Sequence, residues 1–299
     1  MSTLAALLKK GKEILEKAGI EEAGLDAWLL LEYETGKNRA YYYAHQEENV
    51  SDETGNAYLK KIRLRAGHVP LQHITHQAFF MGSEFYVNEH VLIPRQDTEN
   101  LVEAALEAAK TMENPRILDM CTGSGCILLS FLLEKEGSTG TGADVSREAL
   151  KVAERNRDSL CLGGRADFVE SNLFEQLFLQ KKDSKERSGY DMLISNPPYI
   201  RTAEISGLMD EVRLHDPALA LDGHEDGLYF YRRITREGKA FLKPGGWLLY
   251  EIGYDQGEAV SSIMREAGFS GVKIKKDLAG LDRVALGRFT EKNQEDSHV

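Results

Sequence analysis

Apolar positions along the chain change their period twice. From Leu4 to Ile20, the residues Leu4, Leu7, Leu8, Ile14 and Leu15 fall on one side of a helical repeat, which predicts an amphipathic helix. "GLDAWLLLEYETG", bounded by Gly24 and Gly36, predicts a second helix, and "ETGNAYLKKIRLRAG", with Asp52 as its cap and Gly67 at its end, a third. In residues 78–93, "AFFMGSEFYVNEHVLI", that period is lost. Aromatic and β-branched runs around "GS" and "NE" predict a β-hairpin. The helical period returns in "PRQDTENLVEAALEAAK", where Asp97 or Thr98 is the expected cap and Leu101, Val102, Ala105, Leu106 and Ala109 form the apolar face.

From residue 115 onward strands and helices alternate. "RILDM", "TGTGADV", "ADFVE", "YDMLIS" and "GGWLLYEI" read as strands. "CILLSFLLEKEG", "SREALKVAERNRDSL" with Ser146 as cap, "GLYFYRRITREGKAFL" and "GEAVSSIMREAGF" read as helices. "GVKIKKDLAG" and "LDRVALGRF" predict a closing antiparallel pair at the sheet edge. The rhythm predicts an α/β fold with a mostly parallel seven-stranded sheet and helices on both faces. The expected divisions are a helical domain over 1–75, a hairpin linker over 76–94, the α/β domain over 95–290 and a polar tail over 291–299. "QKKDSKERSG" is expected to be a polar surface insert.

Composition narrows this only a little. The 299 residues, 42% hydrophobic and 28% charged, suit a soluble globular protein of one large or two smaller domains. No apolar run reaches the roughly 18 residues of a membrane span, and "MSTLAALLKKGKEILEK" lacks signal-peptide features, so a cytoplasmic location is expected. Cys121, Cys126 and Cys161 match no zinc spacing and are expected to be reduced structural thiols; no metal is expected. The net charge of −11, with acids outnumbering bases in residues 1–90, weighs against an enzyme with a basic nucleic-acid face. Trp28 and Tyr41–Tyr43 are expected in helix packing rather than on an aromatic binding surface.

Two stretches carry chemistry. "ILDMCTGSGCI" lies where the first strand of the α/β region turns into its helix. Thr122, Gly123, Ser124 and Gly125 let the backbone pass close to a ligand at the carboxyl edge of the sheet. A dinucleotide fingerprint would need a glycine near residue 128, which is Leu128, and no Lys-Ser/Thr pair makes a P-loop. Asp119, at the strand end, would repel a pyrophosphate but suits the α-amino group of a cationic amino acid. Asp144 ends the next strand at the position from which a carboxylate grips ribose hydroxyls. Asn172 and Leu173, after the third strand, are placed to bond and pack on adenine. Together these favour S-adenosylmethionine over NAD.

The second stretch is "ISNPPYI". A buried strand ends at two prolines that have no N–H to donate. The Asn196 side-chain carbonyl and the Pro197 main-chain carbonyl offer two acceptors to a planar NH2 group, Pro198 keeps donors out, and Tyr199 offers a ring face. Such a site suits methyl transfer to a weakly nucleophilic amide or aromatic amine, with charge developing on nitrogen stabilised by both acceptors and no dedicated general base. The loop alone leaves a glutamine amide and the exocyclic amine of adenine or cytosine equally open. A non-catalytic binder of S-adenosylmethionine is a third reading, which two aligned acceptors argue against.

Nearly the whole chain resembles the release-factor glutamine methyltransferases, the PrmC/HemK family. The likeness runs through "DAWLLL", "PLQHIT", "LIPRQDTE", "ILDMCTGSGCI", "SNPPYI", "HDPALALDGHEDGLYFYRRI", "LKPGGWLLYEIG" and "DLAGLDRVALGR". NPPY is shared with nucleic-acid amino-methyltransferases, whereas "PRQDTE" and the stretch after NPPY are more specific. The resemblance implies a helical substrate-recognition domain, a hairpin and a class I (Rossmann-like) methyltransferase domain. It implies S-adenosylmethionine as donor and the GGQ-loop glutamine of class I peptide-chain release factors as acceptor. It matches the glycine loop to Cys121–Gly125, the ribose acid to Asp144, the adenine contacts to Asn172 and Leu173, and the substrate clamp to Asn196–Tyr199. The chain departs from the family at Cys121, where glycine is usual, at Asn172, where an acid is common, and at Leu173, where an aromatic ring is frequent. The departure at Cys121 implies weaker donor binding at worst, Asn172 can still bond adenine through a neutral amide, and Leu173 would pack without a ring stack. A monomer without direct nucleic-acid binding is expected.

Other residues carry less. Arg95 anchors the substrate backbone or joins the two domains, the sequence favouring neither. Phe79 and Phe80 are expected in the hairpin core rather than the substrate pocket. Glu251 ends a strand at the same sheet edge and is expected to support the site without touching substrate, and His215 is expected on the surface beside Asp216.

Overall fold

A computed structural model of the chain describes residues 2–183 and 189–290. These divide into two compact units, one reaching Gln77 and including Met209–His215, the other made of Ala78–Leu208 and the chain from Asp216 onward.

The first unit is helical. A short strand β1 (Ser2–Thr3) leads into α1 (Leu4–Lys17), followed by α2 (Ala23–Thr35), α3 (Arg39–Ala44), β2 (Asn49–Val50), α4 (Asp52–Ala66) and α5 (Leu71–Thr75). Leu7, Leu15, Trp28, Leu31, Tyr58 and Ile62 fill its core. Gly11 sits inside α1 because a Cβ there would lie 1.9 Å from the Tyr58 hydroxyl. That hydroxyl donates to the Ala27 carbonyl at 3.2 Å. The cap of α4 is Ser51, whose side chain accepts the Thr54 N–H; Asp52, the expected cap, already has helical backbone and lies in the first turn. Trp28 is buried as expected, whereas Tyr43 points into solvent.

The second unit opens with a hairpin, β3 (Gln77–Phe80) and β4 (Ser83–Tyr86), turning at Met81 and Gly82, both at positive φ. The expected hairpin extended to Ile93, but residues after Tyr86 form no strand. Asn88 turns the backbone by accepting the His90 N–H, and Val87, Val91 and Ile93 are buried as side chains instead. Strand alternation buries Phe80 and exposes Phe79 at 73%, so only one of the two joins the hairpin core.

Then α6 (Gln96–Ala108) begins without a side-chain cap. Neither expected cap serves as one: Asp97 pairs with Arg283 at 3.1 Å, and Thr98 turns inward, 3% exposed. The chain continues through β5 (Arg116–Met120), α7 (Cys126–Glu134), β6 (Thr139–Asp144), α8 (Arg147–Ser159), β7 (Ala166–Glu170), α9 (Glu175–Asp183) and β8 (Tyr190–Ser195). Residues 180–183 of the expected polar insert continue α9. The segment 184–188 and the tail from 291 lie outside the described residues. A 3-10 turn (Thr202–Gly207) and the short helices α10 (Asp210–His215) and α11 (Ala218–Leu221) precede α12 (Tyr229–Gly238), β9 (Leu242–Glu251), α13 (Gly257–Glu266), β10 (Phe269–Lys276) and β11 (Asp282–Phe289).

The sheet order is β10-β11-β9-β8-β5-β6-β7. All pairs from β9 to β7 are parallel, and β11 runs antiparallel between β9 and β10. This is the class I methyltransferase fold. Alternation along each strand feeds two cores. Ile117, Met192 and Ile194 pack with Leu101, Val102 and Phe131 of α6 and α7. Leu118, Leu193 and Leu248 pack with Tyr231, Ile234 and Val260 of α12 and α13. Each such side chain removed from water contributes roughly 1.5–3 kcal/mol. After β5 the chain winds one way to β7 and then returns to β8 on the other side of β5. The loops after β5 and β8 therefore open side by side at the switch point of the sheet.

Candidate active site

The loop after β5 is shaped by backbone conformation. Cys121, Gly123 and Gly125 all have positive φ, at 62°, 54° and 78°. Gly123 faces open space, whereas a Cβ on Gly125 would press on Leu129, Ala153 and Phe168 at 3.1–3.3 Å. Two acids hold this loop. The Thr122 hydroxyl donates to Asp119 Oδ2 at 2.6 Å. The Gly123 N–H donates to Asp144 Oδ2 at 2.9 Å, and the Ser146 N–H to Asp144 Oδ1 at 2.9 Å. Burial pushes the Asp119 carboxyl up to about 7, against the Thr122 hydrogen bond. Burial also raises Asp144, against the backbone N–H groups of Ser146 and Gly123 that favour its charge.

A cavity of about 350 Å³ opens at this edge. Of the residues expected from sequence, Arg95, Cys121, Thr122, Gly123, Ser124, Asp144, Asn172, Leu173, Asn196 and Pro198 line it. Asp119, Gly125, Pro197 and Tyr199 are not among its lining residues. Asp119 is fully buried and accepts the Thr122 hydroxyl through Oδ2. Tyr199 packs against the core with its ring partly buried and donates its hydroxyl to Glu251 Oε1 at 3.2 Å. The Tyr199 carbonyl accepts Gln256 Nε2 at 3.0 Å, so both ends of this residue are anchored.

Asn196 directly follows β8, whose last residue Ser195 donates its hydroxyl to the Met120 carbonyl at 2.6 Å. That bond ties the two strand ends together. The Asn196 amide nitrogen points at Thr98 Oγ1, 3.4 Å away. Asn172 is exposed and donates to Glu175 at 2.8 Å, while Leu173 is buried with φ +52°. Arg95 sits at the rim, donating at 2.9 Å to the fully buried Asp216 side chain. Glu251 is 3% exposed. Burial raises its carboxyl, opposed first by hydrogen bonding from Thr98 and then by the Arg283 charge and the Tyr199 hydroxyl.

Sequence reasoning missed Thr98, Phe230 and the cover formed by Pro217, Leu219 and Ala220, all of which line the cavity. Thr98 stands in the "QDTE" run, where a capping role was the expectation, and Phe230 stands inside a helical pattern that gives no sign of its aim. His215 is half-buried rather than on the surface.

Residues 6–75 match the family described as PrmC N-terminal domain, and residues 97–213 that described as methyltransferase small domain. The chain is 39% identical to a release factor glutamine methyltransferase of Clostridium acetobutylicum, over 93% of this chain and 96% of that one. It is 40% identical to one of Caulobacter vibrioides, over 95% of this chain and 96% of the other. Among solved structures, the hMettl16 catalytic domain in complex with MAT2A 3′UTR hairpin 6 is similar in fold, with a TM-score of 0.56 at 16% identity, over 81% of this chain and 84% of that one. The identity and the span of the two bacterial relatives settle the kinship: the chain belongs to the release factor glutamine methyltransferase family.

Proposed function

We propose that the chain transfers a methyl group from S-adenosylmethionine to the side-chain amide nitrogen, N5, of the GGQ-loop glutamine of class I peptide-chain release factors. The observation carrying this reading is that Asn196 shares one cavity with Gly123 and Asp144 at adjacent strand ends. The lining suits the donor. Asp144 offers a carboxylate to hydroxyl groups, Leu173 and Phe230 offer apolar surface to an adenine, and the open face of Gly123 admits close backbone approach. When bound, the donor supplies a methyl group already activated by its sulfonium.

The chain's own task is to hold and orient the acceptor. The Asn196 side-chain carbonyl and the Pro197 main-chain carbonyl accept the two N–H bonds of the glutamine amide, and Pro198 closes the wall without a competing donor. Holding the nitrogen in line with the methyl group removes an orientational barrier of up to about 7–11 kcal/mol. Arg95, steadied by Asp216, anchors the substrate backbone at the rim. Asp119 and Tyr199 act from behind, through Thr122 and Glu251. No general base is required, because the methylated amide loses its proton to water.

In this reading residues 1–75 recognise the release factor, and the enzyme works as a cytoplasmic monomer without binding nucleic acid. The net charge of −11 supports the absence of nucleic-acid binding. The test offers labelled S-adenosylmethionine with a release factor and an unmodified duplex or RNA. Label on the release factor is expected; label on nucleic acid would overturn the reading.

A further inference from the structure

The clamp Asn196–Tyr199 has two prolines at its centre, and the ring of each locks φ at about −65°. Its aim is therefore set largely by how its two ends are held. At the near end the Ser195 hydroxyl is tied to the Met120 carbonyl. At the far end the Tyr199 backbone lies against the segment bounded by Gly223 and Gly227. A Cβ on Gly223 would lie 2.7 Å from the Tyr199 Cα, and one on Gly227 2.5 Å from the Tyr199 carbonyl oxygen. The side chain that joins these pieces is Gln256, 3% exposed at the start of α13.

Gln256 Nε2 donates to the Tyr199 carbonyl at 3.0 Å and to the Gly227 carbonyl at 3.4 Å. Its Oε1 accepts the Gly253 N–H at 3.0 Å, from the loop after β9. All three partners are backbone groups of fixed polarity, so they settle which end of the amide is which. A reversed amide would set its oxygen against two carbonyls and its nitrogen against an N–H, leaving each buried group unpaired. The amide has two hydrogens, one for each carbonyl. We infer that Gln256 is a positioning residue for methyl transfer, which locks the far end of the clamp so that the Asn196 and Pro197 carbonyls keep their aim at the acceptor amide. The inference rests on the proposed function and adds to it the group that holds the clamp still.

The test compares wild type, Gln256→Glu and Gln256→Leu on a release factor between about pH 5.5 and about pH 8.5. Calorimetry at each pH gives the donor Kd and the number of donor sites. Expressing kcat per donor site keeps unfolded chains out of the comparison. The neutral carboxyl of Gln256→Glu has an O–H for the Tyr199 carbonyl and an oxygen for the Gly253 N–H; the ionised one sets an oxygen against the Tyr199 carbonyl. Burial favours the neutral form, which brings the change into this pH range. The charged and titratable groups on the elements around the start of α13, namely Tyr231, Glu251, Asp255, Asp282 with its partner Lys276, and Arg283, are present in both proteins. The ratio of variant to wild type therefore isolates the new carboxyl. Gln256→Glu is expected to lower kcat about 10–100-fold at the alkaline end and to regain at least about fivefold toward the acid end, with KM and the donor Kd within about threefold of wild type. Gln256→Leu cannot donate at any pH and should stay slow throughout. An unchanged kcat in Gln256→Leu, a Gln256→Glu ratio that does not rise on acidification, or loss of donor binding together with turnover would each overturn the inference. A wild-type enzyme inactive on the release factor would overturn the proposed function and this inference with it.

Discussion

The carboxylate of Asp144 accepts the backbone N–H of Gly123 at 2.9 Å, joining the end of one strand to the loop after its neighbour. One acid thereby serves both loop geometry and the cavity surface. Asp144→Ala is expected to weaken S-adenosylmethionine binding at least about tenfold, or about 1.4 kcal/mol, by titration calorimetry. Asp144→Asn, which keeps an acceptor oxygen, should lose less.

Asp119 makes the pH dependence of stability distinctive. Its carboxyl is pushed up to about 7 by burial, so between its unfolded value near 4 and about 7 the native state holds more protons than the unfolded one. The stability from this group is therefore full below about pH 4 and is lost as pH rises through about 7, at no more than about 1.4 kcal/mol per pH unit. Asp119→Asn should flatten the fall in melting temperature between pH 5 and pH 8. Asp144 and Glu251, shifted in the same direction, leave some slope in the variant. A slope unchanged by the substitution would show that Asp119 does not titrate there.

Cys121 holds a left-handed backbone, φ +62°, at a cost of about 1–2 kcal/mol for a side-chain-bearing residue. Its side chain recovers part of this by packing on the core. Cys121→Gly is expected to stay within about 1 kcal/mol of the parent in urea unfolding, strain relief offsetting lost packing. Cys121→Val, β-branched at the same φ, should fall below the glycine variant by more than about 1 kcal/mol.

Asn196→Ala should abolish methyl transfer while the donor Kd stays within about tenfold, because in the proposed reading the residue holds the acceptor rather than the donor. Single-turnover kinetics checks this, and an unchanged rate would remove Asn196 from the mechanism.

The parallel strands are legible in the sequence because strands covered on both faces read as apolar runs, as Met192–Ile194 do between helices on either side. The loops at their ends announce themselves through residues with unusual backbone freedom, Gly123 and Gly125, or restriction, Pro197 and Pro198. Side-chain aim is not legible. Asp119 and Asp144 are both acids at strand ends, yet one turns behind the loop and the other onto the cavity. Thr98 has the composition of a cap and the position of a buried hydroxyl. The joining of Met209–His215 to the first unit depends on tertiary partners, such as Arg65 donating to both Asp26 and Glu211, and no local pattern signals it.

The central claim is the identity of the methylated atom. Fragment mass spectrometry of a release factor, after incubation with the enzyme and S-adenosylmethionine, measures it directly. The account predicts a single methyl group on the side-chain nitrogen of the GGQ glutamine, absent when Asn196→Ala replaces the wild type. A methyl group on any other residue, or an unmodified release factor beside a methylated nucleic acid, would contradict it.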